Sequence, residues 1–181
     1  MDKIDFAVAT ASDMGEVLAL QDAVYRSEYG FVPDDGLDDR AIHFVGRLSE
    51  QGVIIATFRL VGPECRPFDF EVAVNVEGLV SPGGSAATIG RLCLDPVYRA
   101  ARTSMKIHFG LLDLGSRYAL SKGITDFFLI TYPRLVNFYR KAGFRVCGES
   151  FDHPKWGVVS VMHSKLDIER LETSRRDTTR K

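Results

Sequence analysis

One stretch constrains this chain more than any other: residues 86–122, AATIGRLCLDPVYRAARTSMKIHFGLLDLGSRYALSK. Thr88 to Leu94 is a short apolar run with Arg91 in its middle. Asp95-Pro96 stops it, since proline cannot donate to a strand ladder. A basic turn follows, Tyr98-Arg99-Ala100-Ala101-Arg102-Thr103-Ser104. Helical periodicity then begins, with Ile107, Leu111, Leu114 and Tyr118 on one face and Met105, Phe109 and Leu112 beside it. The order is strand, basic turn, helix. A helix start presents unpaired backbone N–H groups and the positive end of its dipole, so such a turn can hold a phosphate.

The totals narrow the class. A chain of 181 residues with 45% hydrophobic and 26% charged residues is long enough for one domain with a full core. A net charge of −1 gives no global argument for nucleic acid. Cys65, Cys93 and Cys147 lie far apart, without a C-x-x-C, which argues against a zinc site or a disulfide framework and fits a reducing cytoplasm. The first residues, MDKIDFAVAT, lack the apolar core of a signal peptide, and no run approaches the roughly 18 apolar residues of a membrane helix. The expectation is a cytoplasmic protein with no membrane span, one domain over residues 1–166 and a charged tail over 167–181.

Ile4 to Ala9 alternates weakly and predicts a first strand. Ser12 or Asp13 can cap the next segment, and Asp13 with Glu16 has capping-box spacing. Met14, Val17, Leu18, Val24 and Tyr25 fall on one helical face up to about Glu28, and Gly30 ends it. FVPDDGLDDR is a polar loop with four Asp. Ile42 to Leu48 and Val53 to Val61 form a hairpin about Ser49-Glu50-Gln51-Gly52. Glu71 to Val80 alternates and predicts a further strand. Beyond the central helix, Gly123 caps, Thr125 to Tyr132 is a strongly apolar strand and Pro133 stops it. Leu135, Val136, Phe138 and Tyr139 make a short helix closed by Gly143. Phe144 to Phe151 and Gly157 to Lys165 are the last strands. The predicted class is α/β or α+β, with a mixed, mostly antiparallel sheet flanked by helices.

This element order, the strand–basic turn–helix, and the later Tyr139-Arg140-Lys141-Ala142-Gly143-Phe144 resemble the GNAT N-acyltransferase fold. Within it the chain resembles N-acyl amino acid synthases and, more distantly, acyl-homoserine-lactone synthases. Arg26 near the end of the first helix, Asp34, Asp35, Asp38 and Asp39 in the loop, Arg59 in ATFRL, Gly90-Arg91 in the central strand and the D-P-x-Y-R turn carry that resemblance. It implies an acyl group delivered on phosphopantetheine, usually by acyl carrier protein, to a small-molecule amine acceptor, with no permanently bound cofactor and no metal. CoA-using members cradle the pyrophosphate with small residues. Here Ala100, Arg102 and Ser104 stand where glycines commonly do, which favours a carrier protein over acyl-CoA. Many relatives place a Glu two residues before the Gly-Arg pair; this chain has Thr88.

Forming an amide from a thioester requires a neutral amine, donors for the oxyanion, a proton for the thiolate and an apolar slot for the acyl chain. The resemblance implies that backbone N–H groups around Leu92, Cys93 and Leu94 receive the thioester and that Tyr139 protonates the sulfur. Glu71 or Glu77 is the candidate base. Arg26, Arg59 and Arg91 are candidates for an acceptor carboxylate, because a guanidinium binds it bidentately. Arg99, Arg102, Thr103, Ser104 and Lys106 are candidates for the donor phosphate and an acidic carrier surface. Each has a plainer alternative. Arg91 can pair with an Asp of the loop as structural cement, the four Asp can be a solvated loop, and the basic residues can be surface charge. Cys93 is either a small core residue or a nucleophile. Three functions stay open: a fatty acyltransferase using carrier protein, an acetyltransferase using acetyl-CoA, and a binding module without turnover.

Overall fold

The computed structural model describes residues 3–31 and 34–167. It divides into two compact units, one of residues up to Val61 with Ile89–Gly115 and one of Gly62–Thr88 with Ser116 onward. The charged tail beyond Asp167 lies outside the described residues.

The first unit starts with β1 (Ile4–Val8), a 3₁₀ turn at Ala11–Asp13 and α1 (Met14–Tyr29), followed by β2 (Ile42–Leu48) and β3 (Ile54–Val61). β1 pairs antiparallel with β2, and β2 with β3. Beside β3 runs β4 (Ala86–Leu94), whose residues from Ile89 belong to this unit. The capping box differs from the expected Asp13/Glu16 pair. Thr10 N–H and Oγ1 both donate to Asp13 Oδ2 at 2.8 Å, so the box closes three residues earlier. Glu16 is thereby left to accept the Ile54 N–H at 2.7 Å, fastening α1 to the start of β3. Asp13 also meets Arg47 at 2.9 Å, and its carboxyl is held down to about 2, chiefly by the Thr10 backbone hydrogen bond. Gly30 at φ +75° ends α1, a left-handed conformation that glycine takes without a Cβ penalty.

α1 buries Val17, Gln21 and Val24; Val17 packs with Val45 and Ile54, and Gln21 Nε2 donates to Thr57 Oγ1 at 3.2 Å. Every residue of β3 is buried, the pattern of a strand covered on both faces. α2 (Ala101–Ser121) starts earlier than its apolar periodicity predicts, so Arg102, Thr103 and Ser104 form its first turn rather than a loop before it. Ile107 and Leu111 are fully buried. A Cβ at Gly110 would overlap the Phe6 ring and one at Gly115 the Phe58 ring, so two glycines let the helix seat on aromatic side chains of β1 and β3.

The second unit holds Ala86–Thr88 of β4, β5 (Asp126–Thr131), α3 (Val136–Lys141), β6 (Arg145–Val146), β7 (Phe151–His153) and β8 (Gly157–Lys165). Ala86–Thr88 pairs parallel with Asp126–Phe128; β8 pairs antiparallel with β5, β6 and β7. The predicted strand 144–151 is split, and Gly148 at φ +92° marks the break between β6 and β7. The predicted strand at Glu71–Val80 is absent. A 3₁₀ turn at Pro63–Cys65 precedes this stretch, and one at Asp69–Val72 takes up its start. The N–H groups of Ala73 and Val74 bond Phe70 O, and those of Leu79 and Val80 bond Val76 O, so the backbone satisfies itself locally. Phe70, Val74 and Val76 are buried, which is why the segment alternates like a strand without being one. Phe68, Phe70, Phe128 and His163 stack in succession, with neighbouring rings 5.5, 5.8 and 4.7 Å apart. The β1–β2, β2–β3, β5–β8, β6–β8 and β7–β8 ladders are antiparallel and the β4–β5 pair is parallel. Among the described residues no helix is long and apolar enough to cross a membrane.

Candidate active site

The expected site residues fall in both units. In the first, β3 and β4 bring Arg59 and Arg91 to the Asp loop. Arg59 donates bidentately to Asp35, Nη1 to Oδ1 at 2.9 Å and Nη2 to Oδ2 at 2.5 Å, and Nη1 also reaches Asp38 Oδ1 at 2.6 Å. Arg91 Nη2 lies 3.4 Å from Asp35 Oδ1 and 3.7 Å from Asp38 Oδ2, with its guanidinium 5.8 Å from the centre of the Tyr25 ring. Both arginines are buried. Two positive and two negative charges close the cluster, as burial of ionic groups requires. Burial pushes the Asp35 carboxyl up, but hydrogen bonds from Arg59 and the charges of Arg59 and Arg91 outweigh it and hold it down to about 2.

His43 joins this cluster, and the sequence reading missed it. It stands opposite Arg59 in the β2–β3 register and lies 3.2 Å from Asp38 O through Nε2. A carbonyl only accepts, so Nε2 carries the proton. Burial lowers the His43 pKa, opposed by Asp38 and aided by Arg59 and Arg91. A signal was present in the hairpin, but the register shifts at Gly46/Arg47, and counting from the turn alone misaligns the pair.

Arg26 is not in the cluster. Its Nε bonds Asp22 at 2.8 Å one turn back along α1, with 66% of its side chain exposed. The β4 backbone has an outlier: Arg91 sits at φ +54°, alone among the described non-glycine residues. That left-handed conformation costs an L-residue roughly 1–2 kcal/mol. Leu92, Cys93 and Leu94 follow it. Cys93 is buried, and burial pushes its thiol up to about 12, which fits a small core residue. Arg99 is exposed, but its guanidinium is already engaged. Its Nε and Nη2 donate to Leu94 O at 3.1 and 3.0 Å, and it is paired with Glu28. Arg102 and Lys106 are exposed one turn apart, with Thr103 and Ser104 half-buried between them. Ser104 Oγ lies 3.2 Å from His108 Nδ1, and burial takes that imidazole down to about 4.

In the second unit, Glu71 sits in a 3₁₀ turn rather than on a strand. Its Oε1 accepts Arg66 Nε at 2.9 Å and Phe68 N at 2.8 Å, and Oε2 accepts Arg66 Nη2 at 2.7 Å. The Arg66 hydrogen bonds lower its pKa. An acid whose oxygens are engaged and whose proton affinity is lowered is a turn brace and a poor base. Glu77 lies 4.0 Å from Arg66 with 83% of its side chain exposed. Tyr139 is half-buried on α3, its ring edge-on to Phe138 at 5.1 Å and to Phe144 at 5.9 Å. The Gly-Phe after the helix therefore orients that tyrosine. Among the described residues no cluster of His, Cys, Asp and Glu is arranged to hold a metal ion.

Among curated proteins none matches the chain by sequence. Solved structures share its fold. It is similar to FeeM, an N-acyl amino acid synthase from uncultured soil microbes, at 14% identity and a TM-score of 0.76 over 92% of each chain. It is similar to the AHL synthase LasI at 13% identity and a TM-score of 0.69, again over 92% of each chain. An acetyltransferase of the GNAT family from Staphylococcus aureus shows 15% identity and a TM-score of 0.63, covering 91% of this chain and 100% of that one. The sequence profile of the family described as N-acyl amino acid synthase FeeM matches residues 16–165, which include the Asp loop, both buried arginines, the start of α2 and Tyr139. The chain belongs to the FeeM family of N-acyl amino acid synthases, N-acyltransferases built on the GNAT fold.

Proposed function

We propose that this N-acyltransferase takes a fatty acyl group from the phosphopantetheine of an acyl carrier protein and transfers it to the amine of an amino acid or related small amine. The observation that carries the donor assignment is the start of α2. Arg102 and Lys106 are exposed there, while Arg99, also exposed, is engaged by Leu94 O and Glu28. A helix start with two outward cations suits one phosphate and an acidic protein surface. The side chains of Arg102 and Ser104 occupy positions where small residues would admit a nucleotide's pyrophosphate.

Attack is direct. The amine nitrogen adds to the thioester carbonyl, the oxyanion is held by backbone N–H groups around Leu92–Leu94, and its collapse breaks the C–S bond. Tyr139 protonates the departing sulfur. The ammonium proton leaves to water, with Glu77 the carboxylate whose oxygens still face solvent. The high pKa of Cys93 supports a route without an acyl-enzyme. Arg26 takes the acceptor carboxylate, since its exposed pair with Asp22 exchanges at little cost, whereas Asp35 and Asp38 already occupy Arg59.

Thiol release by the purified protein tests this. Acyl-CoA and acyl-carrier-protein donors of short and long chain are offered with pooled amino acids, and products are identified by mass. Release from long-chain carrier protein with an N-acyl amino acid formed is expected. Release from acetyl-CoA alone overturns the donor assignment.

A further inference from the structure

Arg91 is where residue type and backbone disagree. The strand adopts φ +54° at Arg91, yet the glycine stands one position earlier. At Gly90 a Cβ would meet nothing within 4 Å. A strained non-glycine conformation persists only where its surroundings over-determine it. Here they do so through the side chain. The guanidinium is enclosed by Asp35, Asp38 and the Tyr25 ring. Asp35 is fixed in turn by Arg59 and by the Leu37 N–H at 3.1 Å.

We propose that Arg91 is a positioning residue: Asp35 and Asp38 hold its guanidinium so that the central strand stays turned at φ +54°, which aims the backbone of Leu92–Leu94 at the acyl donor. The role extends the function proposed above and rests on it for its kinetic part. Arg91 then does not bind the acceptor. Two carboxylates already neutralise the two buried arginines, so the cluster has no charge left over for a third. The Asp loop thereby becomes part of the donor machinery: its carboxylates set the conformation of a strand far away in sequence.

The test compares three residues at one position. Glycine adopts φ +54° without penalty and alanine does not. Arg91→Ala is expected to lower kcat and raise the donor KM, leaving the acceptor KM within about twofold. Arg91→Gly is expected to recover about tenfold of that loss, the factor the left-handed penalty sets. Arg91→Lys, which keeps the charge, is expected to fall between. An acceptor KM raised tenfold at unchanged kcat, with glycine no better than alanine, overturns the proposal and returns Arg91 to the acceptor carboxylate. A second measurement needs no turnover. Amide hydrogen exchange on the free protein is expected to quicken tenfold or more at residues 90–94 in Asp35→Asn, with β1 and β2 unchanged. Unchanged exchange at 90–94 overturns the proposal even if no donor is ever found. Absent turnover together with quickened exchange overturns the functional assignment and keeps the positioning role. Asp38→Asn serves in the same two assays if Arg91→Ala does not fold.

Discussion

His43 and Arg59 face each other across β2 and β3, and each keeps one buried nitrogen without a hydrogen-bond partner, His43 Nδ1 and Arg59 Nε. With Nε2 protonated toward Asp38 O, Nδ1 is an acceptor, and Arg59 Nε–H is a donor. The pair is complementary, and the imidazole must stay neutral beside two guanidinium groups.

A pH dependence follows. His43 in the folded chain lies below its ordinary 6.5, and His108 falls from 6.5 to about 4. As pH drops through 6.5 the unfolded chain takes protons that the folded chain refuses. Stability is therefore full above 6.5 and lost below it, at up to about 1.4 kcal/mol per pH unit for each histidine. Urea unfolding from pH 8 to pH 5 should show the fall, and His108→Gln should remove its share. The carboxyls of Asp13 and Asp35, both held down to about 2, extend the loss from the usual carboxylate range toward pH 2.

The two sets of arginine partners should differ in weight. Asp35→Ala leaves Arg59 buried with part of its charge uncompensated and should cost about 2–4 kcal/mol in urea unfolding. Arg26→Ala removes only an exposed pair with Asp22 and should leave the unfolding midpoint unmoved. It should instead raise the acceptor KM if Arg26 takes the carboxylate. Equal destabilisation by both would contradict the burial argument.

Gly115→Ala should reverse an ordinary sign. Alanine in a helix interior normally gains about 1 kcal/mol over glycine. Here the new methyl overlaps Phe58, itself 1% exposed, and the overpacking should cost about 1–3 kcal/mol net. Thermal unfolding of Gly115→Ala against Gly90→Ala, where space is open, measures the contrast.

Two single changes separate donor binding from chemistry. Arg102→Glu should raise the KM for acyl carrier protein, and more at low salt than at high, because exposed charges are screened within about 10 Å at 0.1 M. Tyr139→Phe should leave that KM and the melting temperature nearly unchanged and lower kcat by about 10²-fold. Stopped-flow thiol release at two salt concentrations reads both.

Much of the fold was legible because punctuation and period agree. Gly30, Pro96, Pro133 and Gly143 stop elements where the apolar pattern also stops, and α1, the hairpin and β5 sit within a residue or two of their expected ends. Residues 71–80 misled because alternate burial arises in consecutive tight turns as well as in a strand, and the Arg66–Glu71 brace that closes the turn carries no periodic signal. The start of α2 was hidden since its first turn is polar. In the site, the pairing of Arg91 with the Asp loop was open as one of two readings. The membership of His43 was not, because a register shift decides it. The positive φ was concealed by the neighbouring glycine, which marks the wrong residue.

The segment from Gly62 to Ser85 has a consequence for how this family can diversify. Its shape is set by bonds within itself and to β5: Arg66 with Glu71, and Ser81 N–H with Asp126 at 3.2 Å. Its inward residues, Phe68, Phe70, Val74 and Val76, are buried, while Val72 is 87% exposed and Glu77 faces solvent. Foothold and surface are thus carried by different residues. Mutation can rewrite the outward positions, one after another, while the footholds persist, so this excursion is where descendants of the chain can acquire new chemistry of contact without first losing the fold.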